Sequence, residues 1–289
     1  MNQLVREIFH LFDDPDLKRE NERMKTFFDR KTIESRCEEF FALYGVTRGR
    51  IHDMCQAKVT HTRAVAANCL EIAENLGLNE YDCDLAWIIG ELHDFSRFGQ
   101  AVVTKTYRDS DLFNHAKLGA RILFVHRMVE DIVPNFDRLS AEDQRVLEKA
   151  VYHHSDYRLP DNLTERERMF CKIIREADQL DIFRTIVESG WETIYGCSRE
   201  EILASEISDG IAEAFFRHQL ADYAKRVKPA DFHLAHIALC FGLESKAARK
   251  RALEQGYLQQ MMELTFSRPE VQEKYIRLKT EAENFLTEE

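Results

Sequence analysis

The stretch "IIGELHDFSRF", residues 88–98, sets a histidine and an aspartate, His93 and Asp94, directly after an apolar run. The longer segment "EYDCDLAWIIGELHDF" (80–95) repeats apolar side chains at helical spacing, with His93 on the stripe of Leu85 and Ile89. The pair therefore falls at the end of a helix whose face turns toward a core. A carboxylate buried there without a partner is costly. One such pair proves nothing, so the reading depends on whether other ligand-type side chains lie on inward faces elsewhere.

They do. Residues 54–76 read as a helix stopped by Gly77, with His61 on the stripe Val65, Cys69, Ile72 and Leu76. The segment 99–112 carries no period and is expected to be a loop. A helix from Asn114 to Glu130 follows, with His115 opening the stripe Leu118, Ile122, Val125 and Val129. Ser140 opens the next, with Asp143 three residues on as a rough capping box, and His154 ends its stripe of Leu147 and Val151. Thr164 caps a further helix, on which Asp178 continues the stripe of Phe170 and Ile174 before Ile182. Five helices each aim a His or Asp inward. A single inward histidine is usually a hydrogen-bonded core residue, but an inward aspartate is rarer. A shared divalent cation would satisfy all of these groups together, since imidazole and carboxylate are both common metal ligands.

The order His61, His93-Asp94, His115, His154, Asp178 resembles the HD-domain superfamily of metal-dependent phosphohydrolases. The strings "HTRAV", "GELHDFSRF", "NHAKLGARILF", "AVYHHSDYRLP" and "READQLD" are similar to its motifs over roughly residues 55–185. The histidines beyond the minimal set resemble the two-metal branch, which includes diadenosine-tetraphosphate hydrolase-type and HD-GYP-like proteins, and more narrowly a group of uncharacterised bacterial HD proteins. The resemblance implies an all-α fold, a helical bundle with the metal at its middle. It implies that His61, His93, Asp94 and Asp178 hold a first metal, and that Asp94 bridges to a second held by His115 and His154. The metals would be divalent, with Fe, Mn, Ni, Zn and Mg all open. The Gly-Tyr-Pro element of HD-GYP proteins is missing, with "YRLP" in its neighbourhood, which disfavours a cyclic-di-GMP phosphodiesterase.

Other groups are placed around this set. His153 ranks behind His154, as a donor to a ligand or a substrate contact. Asp181 is expected to accept from a ligand histidine's other N–H. Arg97 could cap a phosphate near the metals; pairing with the abundant acids is an equal alternative for it and the simpler one for Lys58 and Arg158. The second His-Asp pair, His52-Asp53, follows no apolar run and reads as surface. His126 lies eleven residues from His115, roughly 16 Å along a helix, too far for one metal cluster. His10, His218, His233 and His236 are expected to have no role.

The chemistry that follows is hydrolysis of a phosphate ester, expected to be a nucleotide, by metal-activated hydroxide, with Asp94 and Arg97 in catalytic roles. No G-x-S-x-G nucleophile elbow and no P-loop is present. Two other readings stand beside it: a diiron oxygenase of the myo-inositol oxygenase type, which shares the donor set, and a non-catalytic, metal-stabilised nucleotide sensor.

The remaining features set bounds. The 289 residues suffice for one large domain or two small ones, and 44% hydrophobic with 31% charged residues is ordinary for a globular chain. Three regions are expected: N-terminal helices over 1–50, an HD domain over 51–190, and a C-terminal helical region over 191–289 continuous with the same globule. A net charge of −11 with no dense basic run disfavours binding of a nucleic-acid polymer. Runs such as "LAWII" and "IALCF" are too short to span a bilayer, and "MNQLVREIFHLFDDPDLKRE" lacks a signal-peptide core. The 7 scattered cysteines form no metal or disulfide spacing and suit a reducing cytoplasm. Oligomeric state is left open.

Overall fold

A computed structural model describes residues 28–43, 50–110 and 113–288. His10 and much of the expected N-terminal region lie outside the described residues. The described residues are helical throughout, without a strand; a single β-bridge joins Ser110 and Phe113. The first helices in order are α1 (Arg30–Leu43), α2 (Arg50–Asn75), α3 (Glu80–Leu92), α4 (Arg97–Thr104), α5 (His115–Ala120), α6 (Val129–Ile132), α7 (Ala141–His153) and α8 (Glu165–Ser189). Seven shorter or peripheral ones follow: α9 (Trp191–Tyr195), α10 (Arg199–Ala204), α11 (Asp209–Phe216), α12 (Pro229–Ile237), α13 (Lys246–Gln255), α14 (Tyr257–Met261) and α15 (Pro269–Thr287).

Helix α3 is the axis of the bundle. Asn79 caps it by accepting from the Asp82 amide, and Asp82 through Leu92 are all buried, as expected of a helix enclosed on every side. It packs against α2 at Gly90, where a Cβ would stand only 2.4 Å from the Ala66 Cα. Glycine is therefore what lets the two backbones close, and this crossing brings His61 on α2 toward His93 at the end of α3. Helix α2 ends at Gly77 in the left-handed conformation that glycine adopts without strain (φ +74°), where the sequence places its stop.

Aromatic packing holds the turn after α3. Phe95 stacks on Phe40 at 3.8 Å between centroids, and Phe98 on Phe41 at 4.0 Å, so α1 clamps the segment that carries His93 and Asp94. Ser96 adds a hydrogen bond of 2.8 Å to the carbonyl of His115, tying that turn to the start of α5.

Two local expectations are corrected. Residues 97–104 form α4 rather than a loop, because Phe98 and Ala101 bury against the core on one helical face. The helix expected over 114–130 stops early. It widens to a π-turn at Arg121–Val125 and breaks at Arg127 (φ +58°). The break lets Val129 and Ile132 bury, with α6 packed against α1 and Arg36 donating to the Asp131 carbonyl at 3.0 Å.

Helix α8 carries the predicted Thr164 cap as a full capping box with Glu167. At Ser140 the cap is partial: Ser140 accepts from the Asp143 amide, but the Asp143 carboxylate bonds Tyr81, Arg166 and the Ser140 hydroxyl instead. Helix α8 packs against α2, α3 and α7 on one side and α9, α12, α13 and α14 on the other. After residue 190, Gly196 ends α9, and Pro229 and Pro269 open α12 and α15, whereas Gly210 falls in the first turn of α11. No helix among the described residues is long and apolar enough to cross a membrane. All seven cysteines are free of disulfides.

Candidate metal centre

Six side chains from five segments of the HD region meet in the bundle. His61 comes from the middle of α2, His93 and Asp94 from the end of α3, His115 from the first position of α5, His154 from the end of α7 and Asp178 from α8. Their donor atoms form two groups, His61/His93/Asp178 and Asp94/His115/His154, with the atoms of each group within 4.8 Å of one another. All are buried except Asp178, which keeps 22% of its side chain exposed.

Asp94 stands between the groups. Its Oδ2 lies 3.1 Å from His93 Nε2 and 3.5 Å from His61 Nε2, and its Oδ1 lies 3.5 Å from His115 Nε2 and 3.7 Å from His154 Nε2. His61 Nε2 also approaches Asp178 Oδ1 at 3.2 Å.

The four imidazoles share one orientation. His93 Nδ1 donates to the Gly90 carbonyl and His154 Nδ1 to the Val151 carbonyl, each at 2.7 Å. A carbonyl can only accept, so both rings carry their proton on Nδ1. His61 Nδ1 faces Asp181 Oδ2 at 2.7 Å, and His115 Nδ1 faces Asp109 Oδ2 at 2.6 Å. Every Nε2 is thus turned inward, the arrangement in which outer partners orient metal-ligating histidines. Each group contains one histidine backed by a carboxylate and one backed by a carbonyl.

A cation fits these residues on two observations. Asp94 Oδ1 is buried with no hydrogen-bond donor. His115 and His154 bring their Nε2 atoms to 2.9 Å, where two lone pairs repel unless a proton or a metal lies against them. Burial pushes the His115 imidazole down to about 4, so a proton is poorly held there near neutrality. His61 behaves in the opposite way. Burial and Lys58 depress it, but hydrogen bonds from the ring to Asp178, Asp181 and Asp94 outweigh both and raise it to about 10. Burial raises Asp94 and Asp178, yet their cationic and imidazole neighbours hold both carboxyls below the usual range. The donors are imidazole nitrogens and carboxylate oxygens, a set suited to first-row divalent metals.

Of the surrounding residues singled out in the sequence, Lys58 forms an ion pair with Asp94 Oδ2. It does pair with an acid, but that acid belongs to the centre. Arg97 lies 3.5 Å from Asp94 Oδ1 through Nε and 3.4 Å from His115 Nε2 through a terminal nitrogen. Asp181 Oδ2 lies 2.7 Å from His61 Nδ1, and Arg184 in turn holds Asp181 at 2.6 Å. His153 turns to Asp156, 2.7 Å from its Nδ1. Arg158 is exposed and forms none of the bonds of the centre; Arg175, a turn before Asp178, bonds the carbonyls of Asp156 and Tyr157. Of the decoys, His126 and Asp53 are exposed and His52 half-buried, His218 pairs with Glu281, and His233 is fully buried between the Tyr195 hydroxyl and the Met261 carbonyl. Asp109 and Tyr107, from the segment read as aperiodic loop, were missed. Tyr107 lies 5.8 Å from both Lys58 and Arg97 as a cation–π partner. No periodicity marks such positions.

Comparison with curated proteins and with solved structures gave no match. Residues 59–183 match the family model described as HD domain, a span that holds both donor groups together with Arg97, Asp109 and Asp181. By that match this region is similar to the HD domain, a superfamily that is in general one of metal-dependent hydrolases.

Proposed function

We propose that this protein is a binuclear metal-dependent phosphohydrolase acting on a small phosphate ester, in particular a nucleotide. The observation that carries the reading is the pairing of two three-donor groups about Asp94 with two cations, Lys58 and Arg97, set against the same carboxylate. Divalent cations at such a centre supply a water nucleophile at neutral pH and neutralise charge on the phosphoryl group.

The chain's own groups account for the rest. His61, His93 and Asp178 would hold one cation and His115 and His154 the other, with Asp94 shared through its two oxygens. Asp181, Asp109 and the carbonyls of Gly90 and Val151 keep each Nε2 aimed inward. Lys58 and Arg97 are the groups to receive phosphate oxygens, Arg97 through a planar fork and Lys58 as a point charge. Lys58, paired with Asp94 here, would be available to the substrate where that carboxylate serves as a metal ligand. With a net charge of −11, the chain as a whole repels anions, so this local positive rim matters for capture. The free cysteines suit a cytoplasmic site of action.

The test is metal analysis of the purified protein followed by a phosphomonoester and phosphodiester panel with Mn, Fe, Ni, Zn and Mg in turn. Hydrolysis of a nucleotide by one of these forms supports the reading. Oxygen consumption by the iron form without hydrolysis would replace it with the diiron oxygenase. Nucleotide binding without turnover in every form would replace it with a sensor.

A further inference from the structure

Asp109 holds a histidine of the centre and an arginine that itself lies against Asp94. One oxygen, Oδ2, meets His115 Nδ1 at 2.6 Å. The other, Oδ1, accepts from Arg97 at 2.9 Å and from the Gln100 amide at 3.4 Å. Arg97 is held further by the Tyr107 carbonyl at 2.5 Å and by Gln100 Oε1 at 2.8 Å. A single carboxylate thus grips both a candidate metal ligand and the arginine beside the site. Both attached groups would be misdirected without it. A neutral imidazole whose Nδ1 has no acceptor is free to carry its proton on Nε2, the atom that must face the metal. An arginine relieved of its carboxylate can swing onto Asp94, whose Oδ1 already lies 3.5 Å away and has no donor.

We infer that Asp109 is a positioning residue that fixes the ring of His115 for the Asp94/His115/His154 metal position and, through its other oxygen, fixes the Arg97 guanidinium at the rim of the centre so that it does not close further onto Asp94 and can meet substrate. The Arg97 half rests on the phosphohydrolase reading; the His115 half does not.

The experiment compares wild type with Asp109→Ala and the near-isosteric Asp109→Asn. Mn²⁺ binding is followed by calorimetry on metal-stripped protein. The His115 tautomer is read from ¹⁵N shifts of the stripped form, and p-nitrophenyl phosphate kinetics are run at saturating Mn²⁺. Wild type should take up two equivalents and show His115 protonated on Nδ1. Asp109→Ala should keep the first equivalent unchanged and bind the second about 10–100-fold more weakly, the usual cost of removing a ligand's outer partner. Its His115 signal should shift toward the Nε2-protonated form. KM should rise more than kcat falls, and Asp109→Asn, which retains one acceptor oxygen, should lie between the two. Should the alanine variant not fold, the asparagine variant decides by the same measurements. An unchanged second equivalent and an unchanged tautomer in a folded variant overturn the His115 role while leaving the two-metal reading intact. A single equivalent in wild type overturns both. An unchanged KM in a variant with a weakened second metal removes the Arg97 half alone. If wild type hydrolyses no phosphate ester, the phosphohydrolase reading and the Arg97 half fall together, while metal counting and the ¹⁵N shifts still decide the His115 half.

Discussion

His115 and His154 point their Nε2 atoms at each other across 2.9 Å, while their Nδ1 atoms are bound outward to Asp109 and to the Val151 carbonyl. Two core histidines with no other duty would not pack this way, because each could swap its tautomer to donate to the other. The outward bonds deny them that choice. The contact is satisfied when a cation lies against both rings and Asp94 Oδ1.

His115→Ala and His154→Ala are each therefore expected to lower metal content from about two per chain to about one, in keeping with a two-metal site. Stability should change by only a few kcal/mol, as for other buried polar groups. Metal counting by mass spectrometry with thermal melts on the same samples checks this. Unchanged stoichiometry in both variants would favour a one-metal nucleotidase.

Asp94→Ala removes the carboxylate that stands between the two groups, which is also the partner of Lys58. Hydrolysis should fall to background with every metal, and both equivalents should weaken together rather than one alone. Turnover near the wild-type rate, measured on the best substrate of the panel, would reject the shared role of Asp94.

The metal-free protein should hold His61 as an imidazolium near neutrality, since its three carboxylate partners raise it to about 10. Because the folded value lies above the ordinary 6.5, this group contributes stability that is complete below about pH 6.5 and is lost as pH rises through about 10. Metal binding requires the neutral ring, so filling the first position near pH 7 should release about one proton, and affinity should increase with pH. Calorimetry in buffers of different ionisation enthalpy measures that release. No release at pH 7 would mean that His61 is already neutral.

Gly90→Ala should destabilise the fold by about 1–3 kcal/mol, the usual range for a forced contact in a packed core. The added methyl would meet backbone atoms of Ala66, at 2.4 Å from Cα, and no side-chain rotation can relieve that. The two helices would have to separate, carrying His61 away from His93, so metal affinity should fall along with the melting temperature. A variant with a lower melting temperature and wild-type metal affinity would show that the crossing does not set the His61–His93 spacing.

The sequence by itself determined most of the long helices and which histidines and aspartates stand on their apolar faces. Helical periodicity is a local property, and His61, His93, His115, His154 and Asp178 each announce themselves against their own apolar stripe. Even the ring orientations of His93 and His154 are local, since each bonds the carbonyl three residues back in its own last turn. Tertiary structure decided what those donors share. Which histidines fall into which group depends on how α2, α3, α5, α7 and α8 pack, and above all on the Gly90–Ala66 approach. Lys58 reads as an ordinary surface cation until the fold places it against Asp94. Asp109 is invisible to periodicity because it acts from a segment between helices, and its partners Arg97 and His115 are set by long-range packing of α4 and α5. The break after α5 was hidden for a related reason: its apolar spacing suits one continuous helix, and only burial of Val129 and Ile132 near α1 favours ending it.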